Sequence, residues 1–108
     1  MKTATRVQPG TTIVDVTGDI DMGSSPGLRK TLLESLKMAP RLIVNLREVR
    51  YVDSSGIASL VEVLKEARNT EKRLVLFGLN KTVHQVMQLT RLLKVFEIRE
   101  TEKEALEA

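Results

Sequence analysis

Residues 49–64 read Val49-Arg50-Tyr51-Val52-Asp53-Ser54-Ser55-Gly56-Ile57-Ala58-Ser59-Leu60-Val61-Glu62-Val63-Leu64, and the fold follows from how this stretch is read. An apolar, extended lead-in meets an Asp-Ser-Ser-Gly turn, and a helix starts at once. Ile57, Leu60, Val61 and Leu64 recur at i, i+3, i+4 and i+7, one face of an α-helix. Two hydroxyls and a carboxylate therefore sit at a helix N-terminus, where unpaired N–H groups and the positive end of the dipole favour negative charge, phosphate included. Asp and Ser are preferred N-caps, so capping alone accounts for Asp53 or Ser54. A helix needs one cap, however, and three polar residues stand in line. Gly56 places a poor helix former in the first turn, about 1 kcal/mol worse than Ala. Its missing side chain suits close approach by another surface.

Working outward, strands and helices alternate. Residues 3–8 and 11–17 read as a hairpin, with Pro9-Gly10 at the centre of a type II turn. Residues 18–23, glycine at both ends, read as a polar loop. Ser24 or Ser25 caps a helix with Pro26 in its first turn and Leu28, Leu32, Leu33 and Leu36 on its buried face; Ala39-Pro40 stops it. Residues 41–46 have the continuous apolar centre of a strand covered on both faces. The helix after Gly56 runs to about Asn69, and residues 73–77 form the next strand, ended by Gly78. Asn80 caps a helix with Val83, Val86, Met87 and Thr90 inward and His84 at the surface. Residues 94–98 read as a last short strand. Thr101 and Glu104 have the spacing of a capping box for a terminal helix that includes Leu106.

This alternation predicts an α/β fold, a mixed and mostly parallel sheet of four to five strands with about four helices, forming a single domain over residues 1–108. Parallel strands joined by crossover helices send their C-terminal ends to one sheet edge, where open α/β sheets carry their sites. That edge gathers residues 18–23, 47–56 and 78–80, so Asp19, Asp21 and Met22 are expected beside Ser54 and Ser55.

Composition removes several functions. The chain has no cysteine and one histidine, which excludes a disulfide scaffold and argues against structural zinc. No apolar run approaches the ~20 residues of a membrane span, and the N-terminus lacks an apolar signal region. No membrane insertion and a cytoplasmic location are the expectation. Net charge is +3, but acids and bases interleave and there are only three aromatics, so no nucleic-acid platform is evident. Residues 1–96 carry 15 bases against 9 acids, whereas residues 97–108 carry five acids and two bases. A basic body of this kind attracts an acidic partner. There is no G-x-S-x-G and no phosphate-binding glycine loop, so neither a serine hydrolase nor a nucleotide enzyme is expected. Asp19, Asp21 and Asp53 read as turn formers before metal ligands. No cofactor, metal or catalytic residue is assigned.

The sequence resembles the STAS-domain anti-sigma factor antagonists of bacteria, the SpoIIAA-like family. The resemblance covers nearly the whole chain. It rests on Gly18-Asp19-Ile20-Asp21 followed by Ser24-Ser25-Pro26-Gly27-Leu28-Arg29-Lys30, on Leu42-Ile43-Val44-Asn45-Leu46, on Val49-Arg50-Tyr51-Val52-Asp53-Ser54-Ser55-Gly56, and on Thr90-Arg91-Leu92-Leu93-Lys94-Val95-Phe96-Glu97-Ile98. After Gly78 the chain has Leu79-Asn80-Lys81-Thr82, where many relatives have Ser-Pro. The resemblance implies a STAS-like fold and a non-enzymatic switch in a stress-response circuit. The unphosphorylated protein binds an anti-sigma factor that is also a GHKL-type serine kinase, and the sigma factor is released. The kinase phosphorylates the second serine of the motif, Ser55, and binding is lost; a PP2C-type phosphatase reverses it. Asp19, Asp21, Met22, Asp53, Ser54, Ser55 and Gly56 are the residues expected to meet the partner. A scaffold in a stress-signalling complex, or an accessory subunit of a lipid-transport complex, is the alternative, and a weak esterase using Ser55 is a third reading.

Overall fold

The β-branched run from Thr11 onward and the apolar runs at 41–46 and 73–77 become neighbouring strands because only a sheet satisfies their backbone groups while both faces are buried. The computed structural model describes residues 1–108. Its elements are β1 (Lys2–Gln8), β2 (Thr11–Ile20), α1 (Ser25–Leu36), β3 (Arg41–Val52), α2 (Ser54–Asn69), β4 (Arg73–Phe77), α3 (Lys81–Leu89), β5 (Glu97–Arg99) and α4 (Glu102–Glu107). The sheet order is β1-β2-β3-β4-β5, with β1 antiparallel to β2 and every other pair parallel. Gly10, at φ +69, turns the hairpin between β1 and β2.

Successive parallel crossovers in sheet order are right-handed, which puts their helices on one face. Val14, Val16, Leu42, Val44, Leu74 and Leu76 point to that face and pack against Leu28, Leu32, Leu60, Val63, Val83 and Met87. The opposite face is narrower. Ile13, Ile43, Val75 and Phe77 there are covered by Ala105 of α4. Two contacts hold α4 down. The Arg6 guanidinium of β1 bridges Asp15 at 2.7 Å and Glu102 at 2.5 Å, and Arg41 donates to the carbonyls of Leu106 and Ala108 at 2.8 and 3.1 Å.

Several expectations are corrected. Residues 18–20 belong to β2 rather than to a loop, and β3 runs on to Val52 instead of ending at Leu46. The reason is mutual: Thr17, Gly18, Asp19 and Ile20 pair with Glu48, Val49, Tyr51 and Val52, with register shifts between Asp15 and Thr17 and between Gly18 and Asp19. β4 pairs with β3 only as far as Phe77 opposite Asn45. The ends of β2 and β3 therefore leave the sheet as a two-stranded ribbon. In α2 the large buried side chains are Ile57, Leu60, Val63 and Leu64, whereas Val61 is only half-buried. Thr90 is an exposed C-cap rather than an inward residue of α3. The last strand lies at Glu97–Arg99; Phe96 before it is buried in the helix-side core, and Val95 is exposed. The capping box is half-formed: Thr101 accepts from the Glu104 N–H at 3.1 Å, but the Glu104 carboxylate accepts from the Glu100 N–H.

The turn after β4 fixes one further position. Gly78 has φ +78, and a Cβ there would lie 2.2 Å from Cγ and 3.2 Å from the backbone nitrogen of Arg47. The Arg47 side chain is itself held over the Phe77 ring, 5.5 Å from its centroid. Gly78→Ala is expected to destabilise the fold by about 2 kcal/mol or more through backbone strain and overpacking. Urea titration measures this, and an unchanged midpoint would show that the turn re-forms without cost.

Candidate functional site

Where the β2–β3 ribbon ends, the chain turns into α2. The Asp53 N–H donates to the Ile20 carbonyl at 3.0 Å, so the ribbon's last rung sets the start of the helix. Asp53 has extended backbone and is the N-cap. Its Oδ1 accepts from the Ser55 N–H at 2.9 Å, the Gly56 N–H at 3.0 Å and the Ser55 hydroxyl at 2.5 Å. The Asp53 carboxyl is held below the usual carboxylate range, chiefly by the Ser55 hydroxyl and next by the Gly56 N–H, with a smaller contribution from the Met22 N–H.

Asp53 thus caps the helix, as the residue types allow, and Ser54 and Ser55 do not. The two serines differ. Ser54 is exposed, while Ser55 is half-buried with its hydroxyl turned toward Asp53 rather than outward. A second hydroxyl reaches it from α1: Ser25 Oγ lies 3.2 Å from Ser55 Oγ, in hydrogen-bond contact. The surface that approaches Gly56 closely is the chain's own. A Cβ there would lie 2.6 Å from Ile20 Cγ2 and 2.7 Å from Val52 Cγ1, so the bare Cα lets α2 settle on the ribbon. Gly56 is buried and shapes the site from within.

The β2–α1 turn supplies the neighbouring wall. Asp21 and Ser24 bond reciprocally, the Asp21 N–H to Ser24 Oγ at 2.9 Å and the Ser24 N–H to Asp21 Oδ1 at 3.0 Å. Ser24 occupies the N-cap position of α1 without a side-chain cap bond into that helix. Asp19 pairs with Arg50 at 3.4 Å, an exposed contact of little energetic weight. The three aspartates face different partners and do not form a cluster able to hold a metal ion. Met22 is 77% exposed and Tyr51 of β3 47% exposed. On the far side, Asn80 accepts from the Val83 N–H at 2.8 Å as the α3 cap and donates to the Val49 carbonyl at 2.9 Å. That second bond ties α3 to the ribbon.

Asp19, Asp21 and Met22 therefore do lie along one sheet edge with Asp53, Ser54 and Ser55. Sequence reasoning passed over Ser25 and Tyr51. The doubled serine at 24–25 held the signal for the first, since one cap position leaves one hydroxyl free for something else. Tyr51 carried none, because its exposure depends on β3 continuing past the sheet.

The hydrogen bond from Ser55 is the largest cause of the low Asp53 pKa, so Ser55→Ala should raise it. The Gly56 and Ser55 N–H groups remain in that variant and keep it below the usual range. A group with a depressed folded pKa adds stability above its unfolded value and loses it as pH falls through the folded one. The Asp53 share is therefore present at neutral pH and lost in acid, below the ordinary carboxylate range. Titration of the Asp53 carboxyl carbon by NMR in both proteins checks this, and superimposable curves would remove the Ser55 contribution.

A model of the STAS domain matches residues 2–105. The anti-sigma-B factor antagonist of Listeria monocytogenes is 33% identical over 90 residues, which cover 82% of this chain and 79% of that protein. An anti-sigma factor antagonist from Mycobacterium paratuberculosis superposes with a TM-score of 0.88 at 24% identity, over 98% of this chain and 91% of the other. The Bacillus cell fate determinant SpoIIAA superposes in its phosphorylated form with a TM-score of 0.74 at 20% identity, over 98% and 97% of the two chains. With the family pattern spanning almost every residue and the same five-stranded sheet beneath it, this chain belongs to the STAS-domain family.

Proposed function

We propose that this chain is an anti-sigma factor antagonist that acts as a phosphorylation-controlled partner switch in the bacterial cytoplasm. In the unphosphorylated state it binds an anti-sigma factor that is also a GHKL-type serine kinase, and so frees the sigma factor or other target which that kinase holds. It has no catalytic role of its own. The observation that carries the reading is the Ser55 hydroxyl, half-buried at a helix N-terminus and bonded to Asp53, in a chain similar to an anti-sigma-B factor antagonist over most of its length. That SpoIIAA has been seen both phosphorylated and unphosphorylated supports the same view. No helix is long and apolar enough to cross a membrane.

In this reading Ser55 Oγ accepts the γ-phosphoryl group of ATP, ADP departs, and the hydroxyl proton is lost. A PP2C-type phosphatase hydrolyses the ester, returning the hydroxyl and inorganic phosphate. The phosphate brings about −1.5 to −2 charge. The unmodified hydroxyl donates to Asp53, so modification replaces a donor by an anion beside a carboxylate. The α2 N-terminus offsets part of this inside the domain, and the fold persists. A partner docked on Met22, Asp19, Asp21 and Ser54 meets the new charge in the middle of its contact and must desolvate it. Moving a partner from almost wholly bound to almost wholly free takes about 5.5 kcal/mol, and a phosphate at the centre of an interface is of that order. Gly56 contributes by placing α2 rather than by contact.

Incubation with the cognate kinase and ATP is expected to label wild type and Ser54→Ala but not Ser55→Ala. Full labelling of Ser55→Ala would move the switch elsewhere. In calorimetric titrations against that kinase, Ser55→Ala should bind as wild type does, whereas Ser55→Asp should bind about tenfold or more weakly. Equal affinities would reduce Ser55 to a structural residue. Met22→Ala should weaken the same binding while the melting temperature moves by no more than a few degrees, because this side chain is in solvent. Unaltered binding would place the docking face elsewhere on the domain.

A further inference from the structure

Ser25 has no role in capping and none in the core. It is 4% exposed, its N–H donates to the Asp21 carbonyl at 2.8 Å, and its hydroxyl bonds Ser55 Oγ at 3.2 Å. Ser55 Oγ is thus held between a donor on α1 and an acceptor on α2: its own proton goes to Asp53 and one lone pair receives Ser25. Phosphorylation breaks this symmetry. The esterified oxygen has no proton for Asp53, and ester oxygens accept hydrogen bonds poorly. The carboxylate becomes a like-charged neighbour, and the Ser55 and Gly56 N–H groups are already occupied by Asp53 Oδ1. The one side-chain donor bonded to Ser55 is then the buried Ser25 hydroxyl, and it must follow the phosphate or be left unpaired.

We propose that Ser25 is a positioning residue for the phosphorylated state: its hydroxyl donates to a terminal oxygen of the phosphate on Ser55 and holds the group toward α1, away from Asp53. This rests on Ser55 being the modified residue. Repulsion from Asp53 and attraction to Ser25 act in one direction, and the N-terminus of α1 adds its dipole on the same side. The phosphate is then fixed in one orientation instead of swinging freely, so a docking partner meets a charge in a defined place.

The second ionisation of the phosphate reports this bond, because a donor stabilises the dianion over the monoanion. The charged groups on neighbouring elements are Asp19 and Asp21 on β2 and its turn, Arg50 on β3 (paired with Asp19), Asp53 at the α2 cap, and Arg29 of α1 paired with Glu62 of α2. Changing Ser25 alters none of them. Phosphoserine is placed at position 55 during translation, so no kinase is involved, and the 31P shift is followed against pH. Ser25→Ala should raise the apparent pKa of the phosphate by about half a unit. Ser25→Cys, which keeps the shape and leaves a weak donor, should raise it similarly, and it covers the case in which the alanine variant folds poorly. Ser24→Ala, which removes the adjacent hydroxyl bonded to Asp21, should leave it where it is. A Ser25→Ala or Ser25→Cys curve superimposable on wild type overturns the proposal, as does an equal rise in Ser24→Ala. Because the phosphate is installed directly, such a result removes Ser25 alone, whereas failure of a kinase to label Ser55 removes the switch and leaves this bond intact.

Discussion

The absence of one carbon atom at position 56 governs the geometry of the site. With no Cβ, the first turn of α2 rests directly on Ile20 and Val52, the last residues of the ribbon. Any larger residue would lift the helix from the strands that precede it. The contact brings Asp53 under the α2 N–H groups and within reach of the Ile20 carbonyl. It also sets Ser55 opposite Ser25 on the neighbouring helix. The helix-breaking tendency of glycine is offset by the three bonds that Asp53 Oδ1 accepts, so local propensity and tertiary packing trade against each other within four residues.

Much of this was readable from residue types, because it depends on local rules. The period of Ile57, Leu60 and Leu64, the preference of Asp53 and Asn80 for cap positions and the glycine turn at Gly10 all held. What escaped has a common cause, namely dependence on a partner distant in sequence. Gly18 and Asp19 have the composition of a loop and become strand only because they find the backbone of Val49 and Tyr51, with Arg50 skipped at the register shift between them. Val61 and Val63 are indistinguishable by hydropathy, yet packing in the fold buries the second fully and leaves the first half-buried. The direction of the Ser55 hydroxyl is set by a carboxylate two residues back and a serine thirty residues away, which residue types alone do not reveal.

The electrostatics of the rim follow from how its acids are used. Asp53 is engaged by helix N–H groups, Asp21 by Ser24, and Asp19 by Arg50. Each carboxylate has its own local partner, and the three do not gather into a group that could hold a metal ion. Beside these acids the exposed large side chains of the edge are Met22 and Tyr51.

The clasp between Arg6 and Glu102 has a different significance. Every strand of the sheet pairs with its neighbour in sequence, so no pairing spans more than one helical crossover. The clasp alone joins residues 96 positions apart. Once β5 is in the sheet only the short link from Arg99 to Glu102 remains to be ordered, and docking of α4 gains this ion pair, the two Arg41 bonds and the burial of Ala105. α4 takes no part in the strand pairing, so the sheet and its three helices can form their backbone bonds without it, and its docking completes the cover of Ile13, Ile43, Val75 and Phe77. α4 and the serines thus lie on opposite faces of the sheet, so an opening of α4 would leave the bonds among Asp53, Ser55 and Ser25 in place.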